Sequence, residues 1–147
     1  MAAARSFRDL KVYQAGRDAA RCVFKLSAQF PREGRYALTD QIRRSWRAVK
    51  AMLAEAWARR RYKAAFINKI DEALGESNET QSWLDDALDA AYLSPSDFDE
   101  LNSRYQAIGG MLSRMIDRAD DFCKHGPTTD YRTLSSRVEE DSLFTDH

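Results

Sequence analysis

The amino-acid sequence predicts an all-α protein: an antiparallel, up-down-up-down four-helix bundle with a flexible C-terminal tail. Three observations carry this. Apolar residues recur at helical spacing through four long stretches. The breaks between the stretches are short and hold proline, glycine or arginine runs. No stretch alternates apolar and polar residues as a strand does. A length of 147 residues fits one domain, and 44% hydrophobic with 31% charged residues is the balance of a folded chain. Short links between long helices favour antiparallel neighbours.

The expected division is a flexible N-terminus over 1–6, a bundle over 7–123 and a flexible tail over 124–147. Helices are expected near 7–29, 36–58, 62–92 and 97–122. Ser6 is a plausible N-cap for the first, with Asp9 as its acidic first-turn residue. Its stripe is Leu10, Val12, Ala15, Ala19, Val23, Leu26 and Phe30, and Pro31 then stops it. Leu38, Ile42, Trp46, Val49, Met52, Leu53 and Ala56 form the second stripe. Arg59-Arg60-Arg61 cover the following turn, where basic residues face the negative end of the helix dipole. Phe66, Ile67, Ile70, Leu74, Leu84, Leu88 and Ala91 mark the third helix. Ser77 and Gln81 sit on its inner line, which predicts a polar patch of core. Ser94-Pro95 opens the fourth, with Phe98, Leu101, Tyr105, Ile108, Leu112, Met115, Ala119 and Phe122 inside. Gly109-Gly110 is read as close helix–helix approach in preference to a functional kink, since two glycines weaken a helix interior by about 1 kcal/mol each.

Catalytic patterns are missing. A carboxylate-bridged metal pair in a bundle needs Glu-x-x-His motifs, and His125 and His147 complete none. Cys123 with His125 supplies two ligands, too few for a zinc site. Phosphate-loop, dinucleotide and nucleophile-elbow motifs are not found. The expectation is a protein that is not an enzyme, with no cofactor, no metal and no catalytic residue. Cys22 and Cys123 read as reduced thiols, hence a cytoplasmic protein. No apolar run reaches the roughly 18 residues of a membrane span, so no membrane partner is expected.

Lys plus Arg and Asp plus Glu both number 23, for zero net charge, but the signs are segregated. From residue 41 to 63 the cations are Arg43, Arg44, Arg47, Lys50, Arg59, Arg60, Arg61 and Lys63, against one acid, Glu55. From 71 to 100 there are ten acids and no Lys or Arg. Either the two segments pair within or between subunits, or the basic one follows a phosphate backbone. Arg43, Arg47 and Lys50 fall on one helical face, so with Arg59, Arg60, Arg61 and Lys63 they are the candidate nucleic-acid-binding residues. Glu55 is expected to be partly buried in an ion pair with Arg44, Arg59 or an arginine of a neighbouring subunit. Trp46, Trp57, Trp83, Tyr13 and Tyr92 exceed the aromatic needs of one thin bundle, which places some on subunit contacts.

Several segments resemble a family, the bacterial four-helix-bundle or 23S ribosomal RNA intervening-sequence proteins. SFRDLKVYQAGRDAARCVFKLSAQFP looks like its opening helix, and YALTDQIRRSWRAV like the start of its second. ALGESNETQSWLDDALDAAYLS looks like its third, with Glu76, Glu79, Thr80, Trp83 and Leu84. The order and spacing hold over about 7–122. Residues 48–56 keep Glu55 and the apolar positions but lack the Ser, Pro, Asn and Gly usual there. The resemblance implies a homopentameric ring. It also implies kinship with accessory subunits of the reverse transcriptases of diversity-generating retroelements, where a basic surface binds RNA and the enzyme. The expected function is a non-enzymatic, self-associating scaffold or adaptor for nucleic acid, RNA or DNA, or for a nucleic-acid enzyme. The alternative is a protein–protein module whose partner is encoded nearby.

Overall fold

The computed structural model describes residues 4–32 and 35–123. The tail expected over 124–147, with His125 and His147, lies outside the described residues. Helix α1 spans Lys11–Ser27, α2 Asp40–Ala58, α3 Lys63–Asp89, α4 Pro95–Asp117 and the short α5 Ala119–Phe122. Among the described residues there is no strand.

The first helix begins later than its stripe suggests. Ser6 and Asp9 do form a capping box, but around a 3-10 turn over Phe7–Asp9. The amides of Arg5 and Ser6 donate to Asp9 Oδ2 at 2.9 and 3.2 Å, so the chain is tied down from Arg5 onward. Leu10 is then extended, at ψ 132°, and α1 starts behind it. The second helix is entered through a π-helical segment, Arg35–Thr39. Ser94 accepts a hydrogen bond from the Asp97 amide at 3.0 Å, and Pro95 opens α4 with its φ already set for a helix.

Four pairs of contacts fix the topology. Tyr13 meets Lys50 while Phe24 meets Arg43, so α1 and α2 are antiparallel. Arg44 reaches Glu79 while Glu55 reaches Lys69, so α2 and α3 are too. Gln81 donates to Asn102 at 3.0 Å, and Gly109 faces Leu74, which sets α3 against α4. Leu10 lines a cavity with Met111 while Cys22 lies in the field of Glu100 and Arg104, closing the square of α4 on α1. This is the expected up-down-up-down bundle. Ile42, Val49, Leu53, Phe66, Ile70, Leu84, Leu101, Ile108 and Leu112 fill its axis, each no more than 1% exposed. Fully burying each such side chain contributes about 1.5–3 kcal/mol.

The polar patch expected at Ser77 is present: Ser45, Ser77 and Thr80 are completely buried. The Thr80 hydroxyl donates back to the Glu76 carbonyl at 3.0 Å. Ser45 Oγ, Ser77 Oγ and Tyr105 Oη make no hydrogen bond within the described protein. The expectation for Gly109-Gly110 is corrected. A Cβ there would meet Leu74 Cδ1 at 3.6 Å or Arg114 Nη1 at 3.4 Å, ordinary contacts that demand no glycine. Of the five aromatics, some of which were expected at subunit contacts, two lie in the core and three are partly buried. Trp46 and Tyr13 are buried, and Trp57, Trp83 and Tyr92 pack against the buried cluster.

The third helix stops at Asp89, three residues before its expected end, because Ala91 turns left-handed at φ 61°. The Tyr92 amide then donates to the Ala87 carbonyl at 2.8 Å. An alanine at that φ is strained, and glycine adopts it freely. Ala91→Gly should therefore stabilise the fold by about 1 kcal/mol, read as a higher urea midpoint at unchanged slope. A lower midpoint would show that the helix end is not wound this way.

Candidate nucleic-acid interface

The face made by α1 and α2 is shaped by small residues. Gly16, Ala19 and Ala20 lie where α1 meets α2, and the Trp46 indole packs directly on Gly16. Toward the C-terminal end of α1 the helices leave two adjoining depressions of about 200 and 280 Å³, both touching Ala20, Phe24 and Lys50. Arg43, Trp46 and Arg47 line the first; Arg17 and Arg21 line the second.

The sequence places both sets of side chains. Arg17, Arg21 and Phe24 follow an i, i+4, i+7 spacing on α1, and Arg43, Arg47 and Lys50 repeat it on α2. Antiparallel packing turns the two stripes toward one groove. Five cations thus line a surface on which, among the described residues, the one acid in an ion pair with any of them is Asp18, 3.1 Å from Arg21 in an exposed pair. Such a pair contributes little and is easily exchanged for another anion. Arg17 and Arg47 are exposed and have no acidic partner among the described residues. Lys50 Nζ lies 5.7 Å from the Tyr13 ring.

Arg43 is held differently. Its Nη2 donates to Ser27 Oγ at 3.0 Å, and its guanidinium lies 4.1 Å from the centre of the Phe24 ring. Its Nε is buried without a hydrogen-bond partner. Phe24 itself is 61% exposed, the most exposed large apolar side chain among the described residues. Arg17, Arg21 and Phe24 were missing from the sequence-derived site, although their spacing mirrors that of the α2 stripe.

The other basic residues do not join this groove. Arg59, Arg60 and Arg61 occupy the turn at the far end of α2, more than two helical turns beyond Lys50. Arg60 Nε donates to the Trp57 carbonyl at 2.7 Å, and its guanidinium stacks 3.5 Å from the Trp57 ring. It therefore adds a side-chain donor to a carbonyl at the helix end that the Arg60 amide also reaches, at 3.4 Å. Lys63 pairs with Asp120 at 2.8 Å. The seven candidate cations form two clusters and not one strip, because α2 ends at Ala58 and the arginine run lies in the turn beyond it, away from Lys50.

The Glu55–Arg44 pair is also corrected. Eleven residues of one helix separate the two by about 16 Å. Glu55 pairs instead with Lys69 of α3 at 3.0 Å, and Arg44 with Glu79 at 3.2 Å. The Glu55 side chain is half-exposed, and its partner is a lysine where an arginine was expected. Pairing between the basic and acidic segments accounts for Arg44, while among the described residues the groove cations have no ion-pair partner in the acidic segment.

The groove offers binding without proton chemistry. Cys22, Lys69, Glu76, Tyr105 and Cys123 have raised pKa values, and none of them lines it. For Glu76 the causes are burial first and then the neighbouring Glu79 charge. Among the described residues no three His, Cys, Asp or Glu side chains are grouped to hold a metal ion, and no helix is long and apolar enough to cross a membrane.

Comparison with known proteins matches this architecture. A crystal structure from Bacteroides thetaiotaomicron VPI-5482, of a protein with unknown function from the S23 ribosomal protein family, aligns at a TM-score of 0.65. The alignment covers 72% of this chain and 95% of that one, at 27% identity. No curated protein matches the chain. The family model described as 23S rRNA-intervening sequence protein matches residues 8–114, nearly the whole bundle, and the chain belongs to that family.

Proposed function

We propose that this protein is a non-enzymatic, self-associating bundle that holds nucleic acid on its α1/α2 face, as a scaffold or adaptor for the nucleic acid or an enzyme acting on it. The observation that supports this is the convergence of Arg17, Arg21, Arg43, Arg47 and Lys50 on one groove, where among the described residues Asp18 is the one acid paired with any of them. Clustered cations attract a polyanion by releasing its condensed counterions, and zero net charge does not prevent this when the signs lie on separate faces. A ring of subunits, as proposed from the family resemblance, would repeat the groove about its axis.

The test is fluorescence anisotropy with a labelled structured RNA from about 50 to 200 mM salt. Changing Arg17, Arg47 and Lys50 together to Glu should weaken binding at least tenfold and flatten the plot of log affinity against log salt. Reversing Arg59 and Arg61 should change it little. Salt-insensitive binding, or binding untouched by the groove reversal, would transfer the function to a protein partner.

A further inference from the structure

The most exposed large apolar side chain described stands among the cations, and a phosphate backbone has no use for it. Phe24 is 61% exposed and borders both depressions of the groove. Its neighbours hold it upright. The Arg43 guanidinium lies along it at 4.1 Å, and Ser27 Oγ fixes that guanidinium through Nη2. Ala20 beside it is too small to cover the ring. The result is a planar aromatic and a planar cation, paired and preset, with open space between them and Arg47, Lys50, Arg17 and Arg21.

We infer that the groove takes a single-stranded segment of nucleic acid, stacking an unpaired base on Phe24 while the flanking phosphates lie on Arg17, Arg21, Arg47 and Lys50. This rests on the nucleic-acid reading above and adds what that reading leaves open. In a duplex the base faces are already stacked on one another, so the ring would gain nothing there. An unpaired base has two free faces, and aromatic rings and guanidinium planes both receive them. Stacking is blind to base identity, because every base offers a π-face. Arg43 is here a positioning residue, since its hydrogen bond and its stacking are directed at Ser27 and Phe24.

The experiment compares a labelled oligouridylate of about 12 nucleotides, the matching DNA strand and a duplex of equal length, each across the same salt range. The single strands should bind about tenfold tighter than the duplex. Phe24→Ala should remove about tenfold of single-strand affinity, leave duplex affinity unchanged and leave the salt slope unchanged, since no phosphate contact is lost. Phe24→Trp should restore binding and add quenching beyond any given by the parent's three tryptophans. Because Phe24 is mostly exposed, the alanine variant should unfold at the parent's urea midpoint. Arg17, Arg47 and Lys50 changed to Glu should flatten the slope for every probe. If single strand and duplex bind alike and Phe24→Ala is neutral while the charge reversal still weakens both, the stacking inference fails and nucleic-acid binding stands. If Phe24→Ala alters only the subunit count on gel filtration, the ring is a contact between copies and the inference fails. If no probe binds at the lowest salt, both fail.

Discussion

Gly16→Ala should destabilise the protein by about 3 kcal/mol or more, or prevent folding. A Cβ on Gly16 would fall 1.6, 2.2 and 2.7 Å from three atoms of the Trp46 ring. No flexible end can swing aside, since the clash is with a rigid indole only 3% exposed and packed edge-on to Tyr105 at 6.2 Å. Helix α1 must back away, forfeiting the close contacts of Tyr13, Ala19 and Val23. Overpacking of this kind typically costs 1–3 kcal/mol and sometimes more, against the roughly 1 kcal/mol that alanine gains in helix propensity. Urea denaturation reads the loss. Trp46→Leu in the same chain should recover part of it, since the smaller side chain leaves room, and a double-mutant cycle would show the coupling. Gly75 is the control: nothing lies within 4 Å of the point where a Cβ would stand, so Gly75→Ala should stabilise by up to about 1 kcal/mol. Equal effects at the two glycines would refute the packing described for α1 and α2.

The second large effect is alkaline. Cys123 is buried, and burial pushes its thiol from 9.0 up to about 11. In the unfolded chain the thiol ionises near its ordinary value, so above that pH the unfolded state binds fewer protons than the fold. Stability is complete below pH 9 and falls as the pH rises toward 11, by up to about 3 kcal/mol. Burial also raises the Tyr105 phenol, so its contribution begins to fall above pH 10 and adds to the loss. Urea midpoints at about pH 8 and about pH 10.5 should differ widely in the parent protein. Cys123→Ala should lower the midpoint at pH 8 by the packing it removes, yet narrow the gap between the two pH values. Tyr105→Phe should narrow it further. A gap unchanged by both substitutions would place the alkaline transition elsewhere.

The bundle could be read from the sequence because its stripes are long. Four of them survive errors of a single position, and such errors occurred. In α1 the buried line runs Val12, Tyr13, Gly16, Ala19, Val23 and Ser27, while Ala15 and Leu26 are only partly buried. In α3 it runs Phe66, Ile70, Ala73, Ser77, Thr80, Leu84 and Ala87, displacing Leu74 and Gln81 outward. The cause is the same in both. Small residues take the innermost positions so that helices approach closely, and larger apolar neighbours then cover the seam. A reading that ranks positions by hydrophobicity chooses the cover over the seam. It therefore missed Gly16, whose importance resides in Trp46, thirty residues away. It missed the Ala91 stop too, since nothing in an alanine advertises a left-handed turn.

The groove was half readable. Its α2 stripe stands out because the segment is basic throughout, whereas Arg17 and Arg21 are diluted by Asp18 and became visible only beside α2. Proximity in sequence grouped Arg59, Arg60, Arg61 and Lys63 with them, but the helix geometry separates the two clusters. The internal pairs of Arg60 and Lys63 depend on tertiary neighbours, Trp57 and Asp120, that no spacing rule names.

The placement of charge has one more consequence. With α1 and α2 bearing the cations of the groove and α3 carrying Asp71, Asp85, Asp86 and Asp89 in solvent, the described helices present opposite signs of charge on different faces while the full chain is neutral. A body with no monopole feels little pull from a distant polyanion, but in the steep field close to one it feels a torque. The nearer it comes, the more firmly it is turned α1/α2 face first. Such a protein would not be concentrated from afar; it would be oriented at the last few ångströms, so that most short-range collisions become productive.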